Sequence, residues 1–499
     1  MKNIYLLLAA VLILSACGED HLEIEPRGTT LESNFYKTQE DYFTGLVAAY
    51  DVLQWGGTGG WNMQLGLLNA ASDDCHAGGS DASDQPSWVA WDQFTLDPEL
   101  GPQSGLWNKG FAGIYRANLL LEKLAESEGL DVSFVARTEA EAKFLRAYFY
   151  FDLVRFFGRV PLITQSLEAD VIYDQTQNDP SEVYAQIESD LNDAIATIEL
   201  PFTVPGDEIG RITQGAARAL LAKVIIYQDS DDRMDEAATL LDDVIGSGIY
   251  ALEDEFGDIF SPDNEWGSES IFEINHSGNQ QGDYGQFNNG TEGNYNVQFF
   301  GMRDYVGPIY ADGWSFCPVS LDLVEAMEGD PRYEHTIIDG AALQAAGASY
   351  TAGFQNTDYF IQKYSSRAAD RATSGEPALN WGYNEKVIRL ADVLLLAAEA
   401  HQRSGNEMQA RRYLNDVRIR VSLQPITNAA GSVLLDAIYR ERRLELATEG
   451  HRFFDLVRTD RAAEALGERG YVSGKHDVLP IPQSEIDISE GSIIQNPGY

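Results

Sequence analysis

The stretch TEAEAKFLRAYFYFDLVRFFG, residues 138–158, restricts the fold more than any other part of the chain. Its spacing is helical, yet apolar side chains occupy nearly every face. Such a helix has no side to offer water and must lie between other helices. Pro161 is expected to mark its end, because proline cannot continue a helix. Partners for it are available nearby. TQEDYFTGLVAAYDVLQW places Tyr42, Leu46, Ala49 and Leu53 on one face at spacings of three and four. LWNKGFAGIYRANLLLEKLAE reads as a second helix. PSEVYAQIESDLNDAIATI reads as a third, with Asp179 or Ser181 as its cap ahead of Val183, Ile187, Leu191 and Ile195.

Two later segments repeat one another. LLAKVIIYQDSDDRMDEAATLLDDVI and LLAAEAHQRSGNEMQARRYLNDVR both run helix, polar turn, helix. Each second helix carries Ala and then Val seven residues on, Ala237 with Val244 and Ala410 with Val417. Small alanines let antiparallel helices approach closely, and the pair resembles degenerate tetratricopeptide hairpins. Between them, over 249–381, helical periodicity fades and Gly, Asn, Asp and aromatics dominate. Disordered segments are poor in aromatics, so this insertion is expected to be ordered and functional. The expected fold is mostly α: a tetratricopeptide-like helical hairpin scaffold with a long loop-rich insertion of little regular structure. The scaffold is assigned to 31–248, with the insertion at 249–381 and the final hairpins at 382–499.

Composition and the first residues set the location and the class of ligand. One basic residue, Lys2, precedes an apolar run from Ile4 to Ile13, too short to cross a bilayer as a helix. Basic start, apolar core and small residues describe a secretory signal over 1–16. Its end, Leu14-Ser15-Ala16-Cys17, resembles a bacterial lipobox, in which Cys17 receives lipid and 17–30 becomes a tether. Acyl chains on that cysteine would hold the domain at a membrane. Gly18, Glu19 and Asp20 resemble the signal that sends Bacteroidota lipoproteins to the outer face of the outer membrane. The net charge of −43 excludes nucleic acid as a partner, since that binding requires Lys and Arg to neutralise phosphates. It also disfavours strongly anionic ligands and leaves neutral ones open. The chain has no CxxC, HExxH, GxSxG or P-loop pattern.

The C-terminal pieces IYRERRLELATEGHRFFDLVR, VLPIPQSEI and QNPGY, in this order, resemble the SusD/RagB family of outer-membrane lipoproteins. LEIEPRG, NFYKTQEDYFTGLVAAYDVL and VIRLADVLLLAAEAH match the family's other landmarks, so the likeness spans almost the full length. Read physically, Arg442, Glu445 and Glu449 share a helix face that Gly450 ends. Arg452, Asp455 and Arg458 continue the charges among Phe453, Phe454 and Leu456, which reads as a semi-buried structural ion network rather than a catalytic set.

The resemblance implies a non-catalytic binding protein. It would sit as a lid on a SusC-like TonB-dependent transporter and capture oligosaccharides, or peptides in some branches. Sugar recognition needs aromatic faces ringed by hydrogen-bonding groups. Two regions supply them. Loop 72–95 offers Asp73, Asp74, Trp88 and Trp91, and the insertion offers Tyr284, Asn294, Tyr295 and Trp314, with Arg303 and Tyr305 alongside. Cys75 lies in the first region and Cys317 three residues beyond Trp314 in the second. With Cys17 consumed by lipid, a Cys75–Cys317 bond is an alternative that position alone suggests. No cofactor is expected. Calcium on the acidic run SDDCHAGGSDASD is the alternative, without EF-hand spacing to favour it. A glycosidase and a protein-interaction scaffold are the rival classes.

Overall fold

The computed structural model describes residues 35–56, 61, 63–167, 171–278, 284 and 292–499. The signal over 1–16, the tether over 17–30 and the lipidation site Cys17 lie outside the described residues.

Helices dominate, in the order α1 Gln39–Asp51, α2 Gln64–Ala70, α3 Pro86–Asp92, α4 Gln103–Ala125, α5 Val132–Phe157, α6 Pro180–Ala196, α7 Gln214–Tyr227 and α8 Met234–Gly246. Within the insertion lies α9 Tyr295–Phe300, and after it come α10 Leu390–Arg403, α11 Glu407–Arg420, α12 Gly431–Glu445 and α13 Arg452–Arg458. Local chemistry sets several of their starts. Thr38 and Asp41 form a reciprocal capping box ahead of α1. Asp179, rather than Ser181, caps α6. At the other end of α5, Gly158 at φ +67° stops the helix three residues before Pro161.

The all-apolar helix is central, as its pattern requires. α5 is flanked by α4 and α6, and the array continues α6, α7, α8, α10, α11 with each helix packed on the next. Gly110 and Gly113 of α4 face Leu153 and Phe149. A β-carbon at Gly113 would stand 2.2 Å from the Phe149 ring, so glycine sets the α4–α5 spacing. The repeated hairpins are α7–α8 and α10–α11, and they pack on each other through α8 and α10. Ala237, Val244, Ala410 and Val417 are all buried at these seams. This is the expected mostly α, tetratricopeptide-like build.

Two small antiparallel sheets accompany the insertion, one fastening it to the array and the other lying within it. β1 Ser270–Ile274 pairs with β4 Glu385–Arg389, and β2 Ile337–Asp339 pairs with β3 Tyr359–Ile361. β4 runs directly into α10, so the insertion's exit is part of the scaffold.

A dense ion network lies beneath it. Arg389 donates to Glu269 at 2.6 Å, Glu445 at 2.6 Å and Glu449 at 2.8 Å. Arg332 reaches Asp330, Glu441 and Glu445, and Lys363 reaches Glu449 at 2.6 Å. Arg442 instead pairs with Asp392 and Asp455, and Arg458 with Glu399 and Asp455. The expected network therefore exists with different partners. α12 ends at Glu445 and Thr448 turns left-handed at φ +66°, so Glu449 leaves the helix face that sequence spacing gave it. The charges tie the insertion, β4 and the C-terminal helices into one body.

Candidate functional site

Loop 72–95 and the insertion meet, as a shared binding surface requires. Cys75 pairs with Val319 and Gly78 with Phe316 in antiparallel bridges, and Gly79 N donates to Ser315 O at 2.9 Å. Arg303 adds a side-chain tie, donating to Trp314 O at 2.8 Å and lying 3.4 Å from the Asp84 carboxylate.

Most of the residues expected to touch ligand do other work. Trp88 and Trp91 lie on α3, whose start is fixed by Pro86 at its first position. Both are buried. Trp88 stacks on Phe299 at 5.3 Å and leans on Phe316, while Trp91 packs against Phe156 and Phe453. Neither has a ring face left for a sugar. Asp73 and Asp74 are also buried. Arg452 makes a two-pronged contact to Asp73, with both distances 2.8 Å, and Arg443 donates to Asp74 at 2.8 Å. Burial opposes the Asp73 charge, but the Arg452 hydrogen bonds and the Arg443 charge more than offset it and hold its carboxyl below the ordinary value. These aspartates belong to the C-terminal ion network rather than to a ligand. Asn294 is buried too. It caps α9 by accepting from Asn296 N at 3.0 Å, and its amide donates to Tyr383 O at 2.9 Å. The acidic run is likewise engaged: Asp81 accepts from Ser83 and Asp84 from Ser80. Among the described residues no cluster of three His, Cys, Asp or Glu forms a metal set.

The remaining aromatics build a ledge. Trp314 is half-buried and meets Trp61 at 5.2 Å with the two indole planes 81° apart. Trp61, also half-buried, meets the edge of Tyr295 at 5.9 Å. Tyr295 itself is nearly covered and forms the inner wall. Beneath lies a second tier: Phe299, 4.9 Å from Trp314, then Phe316 and Trp88. The Trp88 indole donates to Trp61 O at 2.8 Å, so the buried tryptophan holds the half-buried one in place. Trp61 escaped the sequence reading although GGTGGWN surrounds it with the same small residues that singled out Trp314. Tyr284 is 54% exposed, and partial burial, then the Glu376 charge, raise its phenol above the ordinary value.

The main chain fixes Trp314. Its N–H donates to Gln298 O at 2.9 Å, and Gly313 and Ser315 donate to Met302 O and Gly301 O. Gly313 and Gly301 touch backbone to backbone, where a β-carbon on Gly313 would stand 2.3 Å from Gly301. Ser315 and Cys317 both adopt left-handed backbone, at φ +60° and +53°. Such conformations cost about 1 kcal/mol or more each and persist only where surroundings over-determine them. The ledge is thus preorganised. Beside it stand Arg303, which donates to Trp314 O, and Asp84, 3.4 Å from the Arg303 guanidinium. Two half-buried indoles in perpendicular contact can present apolar surface to the face of a sugar ring.

Cys75 and Cys317 lie on the paired segments but are free thiols. The bond suggested by position is not formed. Cys317 Sγ donates to Gly66 O at 3.2 Å instead. Burial pushes both thiols well above their ordinary value, so they are held protonated.

A tetratricopeptide-like helical array that carries a half-buried aromatic ledge defines the class. Comparison with known proteins places the chain within it. Residues 268–499 match the SusD family, and residues 68–226 match a family described as starch-binding and associating with the outer membrane. A solved laminarin binding SusD-like protein is 44% identical, with a TM-score of 0.86, over 93% of this chain and 100% of that one. Surface glycan-binding protein A from Bacteroides thetaiotaomicron, solved in complex with laminarihexaose, is 29% identical, with a TM-score of 0.85, over 92% and 99%. A SusD-like protein of Formosa agariphila is 28% identical over 93% of each chain. The chain belongs to the SusD family.

Proposed function

We propose that this protein is a non-catalytic, lipid-anchored receptor of the outer cell surface that captures neutral glucan oligosaccharides of the laminarin type. It passes them to a SusC-like TonB-dependent transporter. The observation that carries this reading is the perpendicular pair Trp61 and Trp314, with Tyr295 behind it. The surface charge supports it, because −43 repels sulfated or uronate-rich chains and is indifferent to a neutral one. The family supports it, since a relative of 44% identity is a laminarin binding protein and one of 29% identity was solved in complex with laminarihexaose.

Binding of laminarihexaose to residues 18–499, read by calorimetry, tests the ledge. Covering one indole face removes roughly 80 Å² of apolar surface from water, about 2 kcal/mol, so Trp61→Ala or Trp314→Ala should weaken binding about thirtyfold. Unchanged affinity in both variants would remove the ledge from the reading. Recovery of the hexaose uncut after prolonged incubation supports the absence of catalysis, and any shorter product opposes it. Metabolic labelling with a fatty-acid analogue should mark the full chain and be lost in Cys17→Ser.

A further inference from the structure

Away from the ledge, a cavity opens along the long helix α4. Trp107, Phe111 and Tyr115 recur every four residues along one stripe of this helix. Trp107 is buried, 4.8 Å from Phe111 and 5.1 Å from Phe157, and forms the floor. Tyr115, at the mouth, is 50% exposed. Facing it, the turn Ile172–Asp174 holds Tyr173 at 51% and Ile172 at 45% exposure. The space enclosed is about 230 Å³, below the roughly 300–1,000 Å³ of drug-sized ligand sites and suited to one sugar ring.

The wall opposite α4 is built to stay put. Asn118 donates to Ile163 O at 3.0 Å and Gln165 O at 3.3 Å while accepting from Arg146 at 2.8 Å. The Tyr150 hydroxyl accepts from Ile163 N at 2.6 Å and donates to Ile163 O at 2.8 Å. Pro161 and Gln177 form a bridge, and Asn178 N donates to Val160 O at 2.9 Å. Neutral amides, Asn108, Gln165 and Gln175, line the rim. Among the described residues of the lining, Glu485 is the only charged one and there is no Lys or Arg to meet an anion. Aromatic faces, amides and a single carboxylate acceptor form the donor and stacking set of saccharide recognition.

We propose that this pocket is a second saccharide site, which takes one neutral hexose ring or the end of a chain. It shares no residue with the Trp61–Trp314 ledge and does not rest on the reading of that ledge. A flat docking face for a protein would not need a recessed floor or a rim of amides.

Saturation-transfer NMR on residues 18–499, with glucose and laminarihexaose as probes, tests it. In the Trp61→Ala/Trp314→Ala double variant, the glucose signal should persist with a Kd on the order of 1 mM. Adding Tyr115→Ala or Tyr173→Ala should reduce that residual binding at least about tenfold, with an unchanged circular dichroism spectrum. Asn108→Ala, exposed and unable to disturb the core, serves as a second probe of the rim and should weaken glucose in the same background. The proposal is overturned if the double variant binds no glucose, or if glucose binding survives the tyrosine variants intact. It is equally overturned if those variants leave glucose alone and abolish association with the transporter. Loss of hexaose affinity at the ledge is a separate readout, so the two sites fail independently.

Discussion

Glu445→Gln probes the network that fastens the insertion to the scaffold. Its carboxylate accepts from Arg389 at 2.6 Å, Arg420 at 2.5 Å and Arg332 at 2.9 Å, and all four side chains are at most 4% exposed. Glutamine keeps the shape but removes the charge, and its amide nitrogen must point a donor at a guanidinium. Breaking a buried pair in this way costs about 3–5 kcal/mol, because charges are left buried without a counter-ion. At about 2.1 cal/mol/K per residue, some 480 residues unfold with an entropy near 1 kcal/mol/K, so the Tm should fall by about 3–5 °C.

The pH dependence adds a second readout. Burial opposes ionisation of Glu445, but Arg420, Arg389 and Arg332 more than offset it and hold its carboxyl well below the ordinary value. A depressed folded value means stabilisation that is complete above the unfolded carboxyl range near about 4.3 and lost as pH falls beneath it. The gap between wild type and variant should therefore be constant from pH 7 to 5. Below about 4 it should close by about 1.4 kcal/mol per pH unit. Differential scanning calorimetry across that range decides. A Tm within 1 °C of wild type at pH 7, or a gap indifferent to acid, would refute the reasoning.

Trp88→Ala should cost about 3–5 kcal/mol, whereas Trp314→Ala should cost roughly half that or less; urea denaturation giving equal losses would contradict the two-tier ledge. Gly66→Ala places a methyl 2.4 Å from the Trp88 ring and should destabilise the fold by at least about 1 kcal/mol, measured by the same titration. Iodoacetamide without reductant should label neither Cys75 nor Cys317 in the folded chain and both in denaturant; intact mass reads the count, and unlabelled thiols in denaturant would mean that they are bonded.

The helical array was legible because its signals are local. The all-apolar pattern of α5, the Thr38 and Asp179 starts and the Ala–Val seams each act within a few residues. Trp88 and Trp91 misled because PSWVAW reads as a loop by composition. Pro86 at a first helical position and tryptophans three apart would have announced a short buried helix. Nothing local betrays Asp73 and Asp74, whose partners Arg443 and Arg452 lie some 370 residues away in the chain. The ledge was half legible: glycine neighbours exposed Trp314, and the same test applied to GGTGGWN finds Trp61.

Because Trp314 is located by carbonyls and amides of its neighbours, its position is independent of what residue 314 is. Gly301, Gly313 and the left-handed turn at Ser315 define a socket that any occupant inherits. A lineage could therefore exchange the indole for a smaller or more polar tenant, and so change diet, without relearning how to fold.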